Sequence, residues 1–169
     1  MEDRRARFER LYENCSPDIA MYALRRTDRD TAQDVVAETF TVAWRRLDKV
    51  PEKPLPWLYG VARRVLANQR RSTRRLTSLR RKLEPDADTA PELADPELAA
   101  ALRALPAIDR EILALVAWEG LTAAEAAVVL DCTSTAARLR LHRARARLAA
   151  ALGRSSQNGA AHPVIKEFL

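Results

Sequence analysis

The sequence predicts an all-α protein: two small helical domains joined by an acidic, proline-containing linker. Three observations lead there. Alanine, leucine and arginine are abundant in a 169-residue chain with only four glycines, a composition of strong helix formers. No stretch alternates β-branched and polar residues with period two, as a half-buried strand would. Charge is also segregated. Nine Arg or Lys and no acid from Arg63 to Lys82 give way to EPDADTAPELADPE (84–97), whose only charges are acidic and which holds Pro85, Pro91 and Pro96. Helix does not run well through three such prolines, so residues 84–97 are expected to form a tether, reaching roughly 45 Å at full stretch.

The first domain is expected over residues 1–83. Phe8, Leu11 and Tyr12 open a helix whose apolar positions continue to Leu24. A second helix begins near Asp30 or Thr31, either of which can cap it, and carries Val36, Phe40, Ala43 and Leu47 along one face. The segment DKVPEKPLP (48–56), with three prolines, breaks the pattern. A third helix starts by Trp57, with Trp57, Val61, Val65 and Asn68 down one side and Leu58, Ala62 and Leu66 beside them. It continues into the basic run QRRSTRR.

The second domain is expected over residues 98–152, introduced by Asp95-Pro96 as a cap and first-turn proline. Leu98, Leu102 and Leu105 define a helix that stops at Pro106. Ile108, Ile112, Leu115 and Val116 define the next, which ends at Gly120. Thr122-Ala-Ala-Glu125 is a capping box before a short helix to Leu130. Asp131-Cys132-Thr133 then turns the chain into a longer basic helix, a helix-turn-helix pattern. Residues 153–169 read as a loose, mostly polar C-terminal tail.

Several function classes are disfavoured. Cys15 and Cys132 lie far apart with no companions at metal-ligand spacing, so both read as reduced thiols, and no metal site is expected. His142 and His162 lack triad or ligand partners, and there is no glycine-rich phosphate loop. The chain is therefore expected not to be an enzyme, with no catalytic residue and no cofactor. No apolar run approaches the roughly 20 residues of a membrane span, and the N-terminus lacks a signal-peptide core. A cytoplasmic protein with no membrane contact of its own is expected.

A net charge of +6 points instead to a polyanion. Within Thr133–Leu148, arginine stands at 138, 140, 143, 145 and 147, and no acid occurs from Thr133 to Leu152. A merely solvated face would mix signs for i,i+4 support, whereas DNA phosphates would neutralise this one with counterion release. At about 100° per residue, Ala137, Leu141, Ala144 and Leu148 form an apolar stripe. Thr135, Arg138, Leu139, His142 and Arg143 form an opposing arc, the expected reading face. Arg140 and Arg147 fall at its flank, toward phosphate or solvent. Near the Arg63–Lys82 run, Trp57 and Tyr59 are aromatics able to stack on unpaired bases, although both sit at core-compatible spacing.

With both domains read, the chain resembles a bacterial sigma factor of the sigma-70 family, in its minimal two-domain, extracytoplasmic-function (ECF) group. Asp34-Val-Val-Ala-Glu38-Thr-Phe40 followed by Trp44 resembles region 2.2, with Ala37 in place of a usual glutamine. Trp57-Leu-Tyr-Gly-Val-Ala-Arg-Arg-Val-Leu-Ala-Asn-Gln-Arg-Arg71 resembles regions 2.3–2.4, with Arg64 where relatives usually carry Asn and Asn68 where they carry Asp. Leu105-Pro106, Arg110-Glu111 and Gly120-Leu-Thr-Ala-Ala-Glu125-Ala-Ala match region 4. The order and spacing of these motifs carry the resemblance.

The resemblance implies that residues 1–83 are sigma region 2 and residues 98–152 are sigma region 4. Asp34 and Glu38 would then contact the β′ clamp of core RNA polymerase. Trp57, Arg64, Asn68 and Arg71 would bind the −10 element, and the 48–56 loop would capture a flipped non-template base. Thr135, Arg138, Leu139, His142 and Arg143 would bind the −35 element, with region 4 on the β flap. The linker would pass through the polymerase cleft, and an anti-sigma factor is an expected partner. Two rivals remain at this stage: a free-standing helix-turn-helix transcriptional regulator, and an adaptor whose basic helices bind an acidic protein.

Overall fold

The computed structural model describes residues 3–78 and 95–156, and the chain divides into two compact units, 1–89 and 90–169. Among the described residues there are seven α-helices, one short 3-10 turn and no strand.

In the first unit, α1 (Arg4–Leu24) starts at Asp3, whose carboxylate accepts from the Arg5 amide at 3.1 Å. The helix passes through Pro17, although proline removes one intrahelical hydrogen bond. Burial of Cys15, Ile19, Tyr22 and Ala23 on either side of it holds the helix together. Helix α2 (Arg29–Arg45) is capped by Asp28, not by Asp30 or Thr31 as expected. The Asp28 carboxylate accepts from the Thr31 amide at 3.0 Å and the Thr31 hydroxyl at 2.7 Å, so Thr31 is the third residue of the helix rather than its cap. The buried face is Ala32, Val35, Thr39, Phe40 and Ala43, with Val36 only half-buried. The stripe is thus rotated toward Val35 from the expected line. Leu47 is buried in a 3-10 turn (Leu47–Lys49).

Helix α3 (Pro54–Ser78) begins three residues earlier than Trp57. Pro54 and Pro56 stand in its first turn, where a missing amide hydrogen costs nothing. Proline spacing that reads as a break is therefore partly a helix start. Leu58, Tyr59, Val61, Ala62, Val65 and Leu66 are buried.

The three helices of this unit share one core. Tyr22 and Tyr59 join α1 to α3 with ring centroids 5.1 Å apart. At the edge of the core, Phe8 meets Trp44 at 5.1 Å and Tyr12 meets Phe40 at 4.8 Å, both edge-on, with Tyr12 and Trp44 exposed on their outer sides. Arginines tie down the connections. Arg4 donates to the Trp44 carbonyl at 2.8 Å and lies over the Trp44 ring; Arg7 donates to the Val50 carbonyl at 3.4 Å; and Arg70 of α3 donates to the Arg26 carbonyl at 2.9 Å.

In the second unit, α4 (Pro96–Arg103) is capped as expected: the Asp95 carboxylate accepts from the Glu97 and Leu98 amides at 2.9 and 3.2 Å, with Pro96 first in the helix. Helix α5 (Ala107–Ala117) follows Pro106, and Arg110 secures the corner by donating to the Leu105 carbonyl at 2.6 Å. The chain leaves α5 through Gly120 at φ +66°, a left-handed conformation that favours glycine.

Helix α6 (Ala123–Leu130) has the predicted capping box. Thr122 Oγ1 accepts from the Glu125 amide, and Glu125 accepts from the Thr122 amide at 2.9 Å. It ends with Asp131 left-handed at φ 55°, the Cys132 amide reaching the Ala127 carbonyl at 3.0 Å and the Asp131 amide reaching Val128 at 3.3 Å. This is a Schellman closure. Thr133 then caps α7 (Ser134–Ser156), its hydroxyl accepting from the Ala136 amide at 3.2 Å. Helix α7 packs against α4, α5 and α6 through Ala137, Leu141, Ala144, Leu148 and Leu152.

Candidate nucleic-acid interface

The docked stripe of α7 determines what the helix can present. Ala137, Leu141, Ala144 and Leu148, the predicted apolar face, are all buried, and Leu152 extends the stripe by a turn. Thr135, Arg138, Leu139, His142 and Arg143 are all exposed, so the arc drawn from the sequence is open to a ligand. Over its 23 residues α7 is about 34 Å long, enough to cross a groove and extend beyond it.

Arg140 and Arg147 do something other than expected. Both turn back onto Asp109 of α5, with Arg140 at 3.8 Å and Arg147 in direct hydrogen bond. Asp109 is only 2% exposed, so its carboxylate lies within the domain while the two guanidinium groups lie at its edge. These arginines therefore belong to the domain's own ion-pair network, not to a free phosphate-binding flank. A helix without an acid of its own takes its counter-charge from a neighbour. The sequence holds a clue: Asp109 stands three and four residues before the buried Ile112 and Leu113, which puts an acid on the inward face of α5.

In α3 the four predicted residues share one line. At about 100° per residue, Trp57, Arg64, Asn68 and Arg71 fall within roughly 60° of one another along four turns. Trp57 is half-buried, and the other three are exposed. Trp57 is thus partly packed and partly open, whereas Tyr59, the other stacking candidate, is 2% exposed against Tyr22 and belongs to the core rather than to a base platform. Of the 48–56 segment, only the part between the 3-10 turn and Pro54 lies outside helix; Arg7 donates to the Val50 carbonyl at its start, and Arg4, 3.9 Å from Asp48, reaches the turn before it. Neither arginine was legible as a loop clamp, since each contact spans about forty residues of sequence.

In α2, Asp34 and Glu38 are exposed one turn apart, bordered by the exposed Gln33, Ala37 and Thr41. This is an acidic, outward strip on a helix whose other side is core. No cluster of three metal-ligating side chains occurs among the described residues. Cys15 is buried, and burial, with Asp18 adding to it, pushes its thiol above the usual range, which makes it an inert packing group. Cys132 is exposed in the turn between α6 and α7. No described helix is long and apolar enough to cross a membrane. Pro96 and Glu97 of the expected 84–97 linker are the first residues of α4, and residues 153–156 of the expected tail continue α7. Residues 79–94, with the end of the basic run and the rest of the linker, and the tail from 157, with His162, lie outside the described residues.

Comparison with known proteins places the chain in a family. Residues 11–76 match the model of sigma-70 region 2, and residues 96–148 match sigma-70 region 4. The RNA polymerase sigma factor NccH of Alcaligenes xylosoxydans xylosoxydans is 34% identical over 142 residues, covering 73% of this chain and 74% of the relative. The chain belongs to the ECF group of the sigma-70 family of RNA polymerase sigma factors. The ECF sigma factor EcfG of Rhodopseudomonas palustris is 31% identical over 144 residues, 80% of either chain.

Among solved structures, CnrH in complex with the cytosolic domain of CnrY has a TM-score of 0.58 at 28% identity, covering 90% of both chains. The sigma factor RpoE in complex with the anti-sigma factor NepR from Bartonella quintana has a TM-score of 0.64 at 24% identity, covering 86% of this chain and 96% of that one, and shows the shared fold. In this sigma factor, α1–α3 fall in region 2 and α4–α7 in region 4. The α3 line and the α7 arc thus stand on separate domains of a promoter-recognition protein.

Proposed function

We propose that this sigma factor binds core RNA polymerase through the Asp34/Glu38 strip of α2 and directs initiation at promoters whose −10 and −35 elements are read by α3 and α7. The observation that carries this reading is the exposed arc of α7. It is basic and acid-free, and it lies opposite a fully buried stripe in a capped helix-turn-helix.

At the −35 duplex, Arg138 and Arg143 supply the charge-assisted contacts to phosphate or guanine edges, and Thr135 and His142 lie between them on the same arc. At the −10 element, Arg64 and Arg71 hold the strand backbone while the open part of Trp57 offers a stacking surface to an unpaired base. The loop ahead of Pro54, held at its start by Arg7, receives a base leaving the duplex. Stacking of this kind is worth about 1–3 kcal/mol per base, comparable to the cost of opening one base-pair step, so it favours the melted state. The linker tethers the two readers so that each engages its own element on one promoter.

CnrH, a relative of the same fold, has been captured with the cytosolic domain of CnrY. A protein partner that holds this sigma factor inactive, an anti-sigma factor, belongs to the same proposal. Mixing the purified chain with core polymerase and a promoter template tests the whole reading. A discrete run-off transcript that requires the chain is expected. A chain that fails to join the polymerase, or that binds a palindromic duplex tightly without it, refutes the proposal.

A further inference from the structure

The direction in which Leu139 points differs from what a solvated helix would show. The buried stripe of α7 runs through Ala137, Leu141, Ala144, Leu148 and Leu152. At about 100° per residue, its mean direction is roughly 180° from Leu139. Leu139 therefore stands at the pole of the exposed face, the position that projects farthest from region 4. On an ordinary surface helix this is the most polar position. Here it is a leucine with 47% of its surface exposed, and among the described residues of region 4 only Val128 is another large apolar side chain so open. Thr135 precedes it by one turn and Ala146 follows two turns later near the same line, while His142 and Arg138 flank it on one side and Arg143 on the other. Leu139 is thus a single large apolar side chain between basic walls.

We propose that Leu139 is a specificity-determining residue that reads a pyrimidine C5-methyl group of the upstream promoter duplex, in unmodified DNA the methyl of thymine. This rests on the assignment of α7 to that duplex. The base edges of a major groove offer one apolar feature, the thymine methyl, and the groove is walled by phosphate. A leucine between arginines has the complementary layout. Leu139 is the sixth residue of α7, within the N-terminal part of a recognition helix that meets base edges. A lone leucine ringed by Arg138, His142 and Arg143 does not form the contiguous apolar patch that a protein partner would need.

The test uses holoenzyme formed from the full chain and core polymerase, on a promoter found by mapping transcript starts after overexpression. Each thymine of the upstream element, on both strands, is replaced singly by deoxyuridine, which deletes only the methyl. In a parallel arm, 5-methylcytosine replaces each cytosine. At one thymine, the wild type should bind the deoxyuridine duplex roughly fourfold more weakly, the worth of one buried methyl. The Leu139→Ala protein should bind the natural promoter about as weakly as that and no longer distinguish thymine from uracil there. Unchanged thermal unfolding of Leu139→Ala shows that the fold is retained.

An upstream element with no thymine overturns the proposal, as do deoxyuridine effects that are the same in wild type and Leu139→Ala. Strengthening confined to 5-methylcytosine overturns thymine as the source of the methyl. Arg138→Ala and Arg143→Ala separate the two levels of inference. If neither weakens binding to the upstream element, the assignment of α7 fails. If both do while the uracil effect ignores Leu139, only the methyl reading fails.

Discussion

Truncating Arg147 should cost more stability than truncating its partner Asp109, although Arg147→Ala breaks one ion pair and Asp109→Ala breaks two. Asp109 is 2% exposed, whereas the Arg140 and Arg147 side chains are 42% and 53% exposed. Arg147→Ala leaves a carboxylate inside region 4 with Arg140 alone at 3.8 Å. Breaking a fully buried pair typically costs about 3–5 kcal/mol. The second arginine and the exposed edge of this pair bring the expectation down to about 2–3 kcal/mol. Asp109→Ala removes the buried charge itself and leaves two guanidinium groups that reach water, so about 1 kcal/mol is expected.

The double variant should be no less stable than Arg147→Ala alone, because the stranded carboxylate is gone. The assay is urea unfolding of the full chain followed by the fluorescence of Trp118, which stands at the end of α5. A Trp44→Phe, Trp57→Phe background silences the region 2 indoles. Equal losses for the two single variants, or a larger loss for Asp109→Ala, refute this account of the α5–α7 contact.

The same pairing predicts which arginines serve DNA. Arg138→Ala and Arg143→Ala should each lower the slope of log affinity against log salt by about 0.9, whereas Arg140→Ala and Arg147→Ala should leave it nearly unchanged; quantitative filter binding of holoenzyme checks this. Reversing the α2 strip with Asp34→Lys and Glu38→Lys should abolish co-elution with core polymerase while leaving the melting temperature within error, since both side chains are exposed. The Asp28 carboxyl, held below its ordinary value chiefly by the Thr31 amide and next by the Thr31 hydroxyl, should make the start of α2 acid-sensitive. Its contribution is present above the ordinary carboxylate range near 3.8 and is lost as pH falls through the lowered value. Asp28→Asn keeps an N-cap and should remove that dependence in a pH series of thermal melts.

Local signals in the sequence carried most of the fold. The Thr122–Glu125 capping box, the Asp95-Pro96 start and the buried stripe of α7 are each encoded within a few residues, and each is found where those residues imply. The exposed arc of α7 and the α3 line from Trp57 to Arg71 follow from helical periodicity once the buried side is known. What was not legible depends on distant neighbours. Pro17 sits inside α1 because packing on both sides outweighs the lost hydrogen bond, and α2 is rotated toward Val35 and Thr39 by the helices it meets. Pro54 and Pro56 begin α3 where the same residues, read alone, look like its interruption. Arg140 and Arg147 read as free cations until α5 brings Asp109 beneath them, and Arg4 and Arg7 have no visible role until their partners about forty residues away are in place.

The central claim is that one chain carries two separable promoter readers, and run-off transcription with core polymerase on altered templates tests it most directly. With the −35 element scrambled, Arg138→Ala/Arg143→Ala protein should lose little beyond its existing defect, while Arg64→Ala/Arg71→Ala protein should lose as much as wild type. With the −10 element scrambled, the pattern should reverse. A wild-type chain that supports no promoter-dependent transcript, or two variants that respond to the same element, would contradict the account.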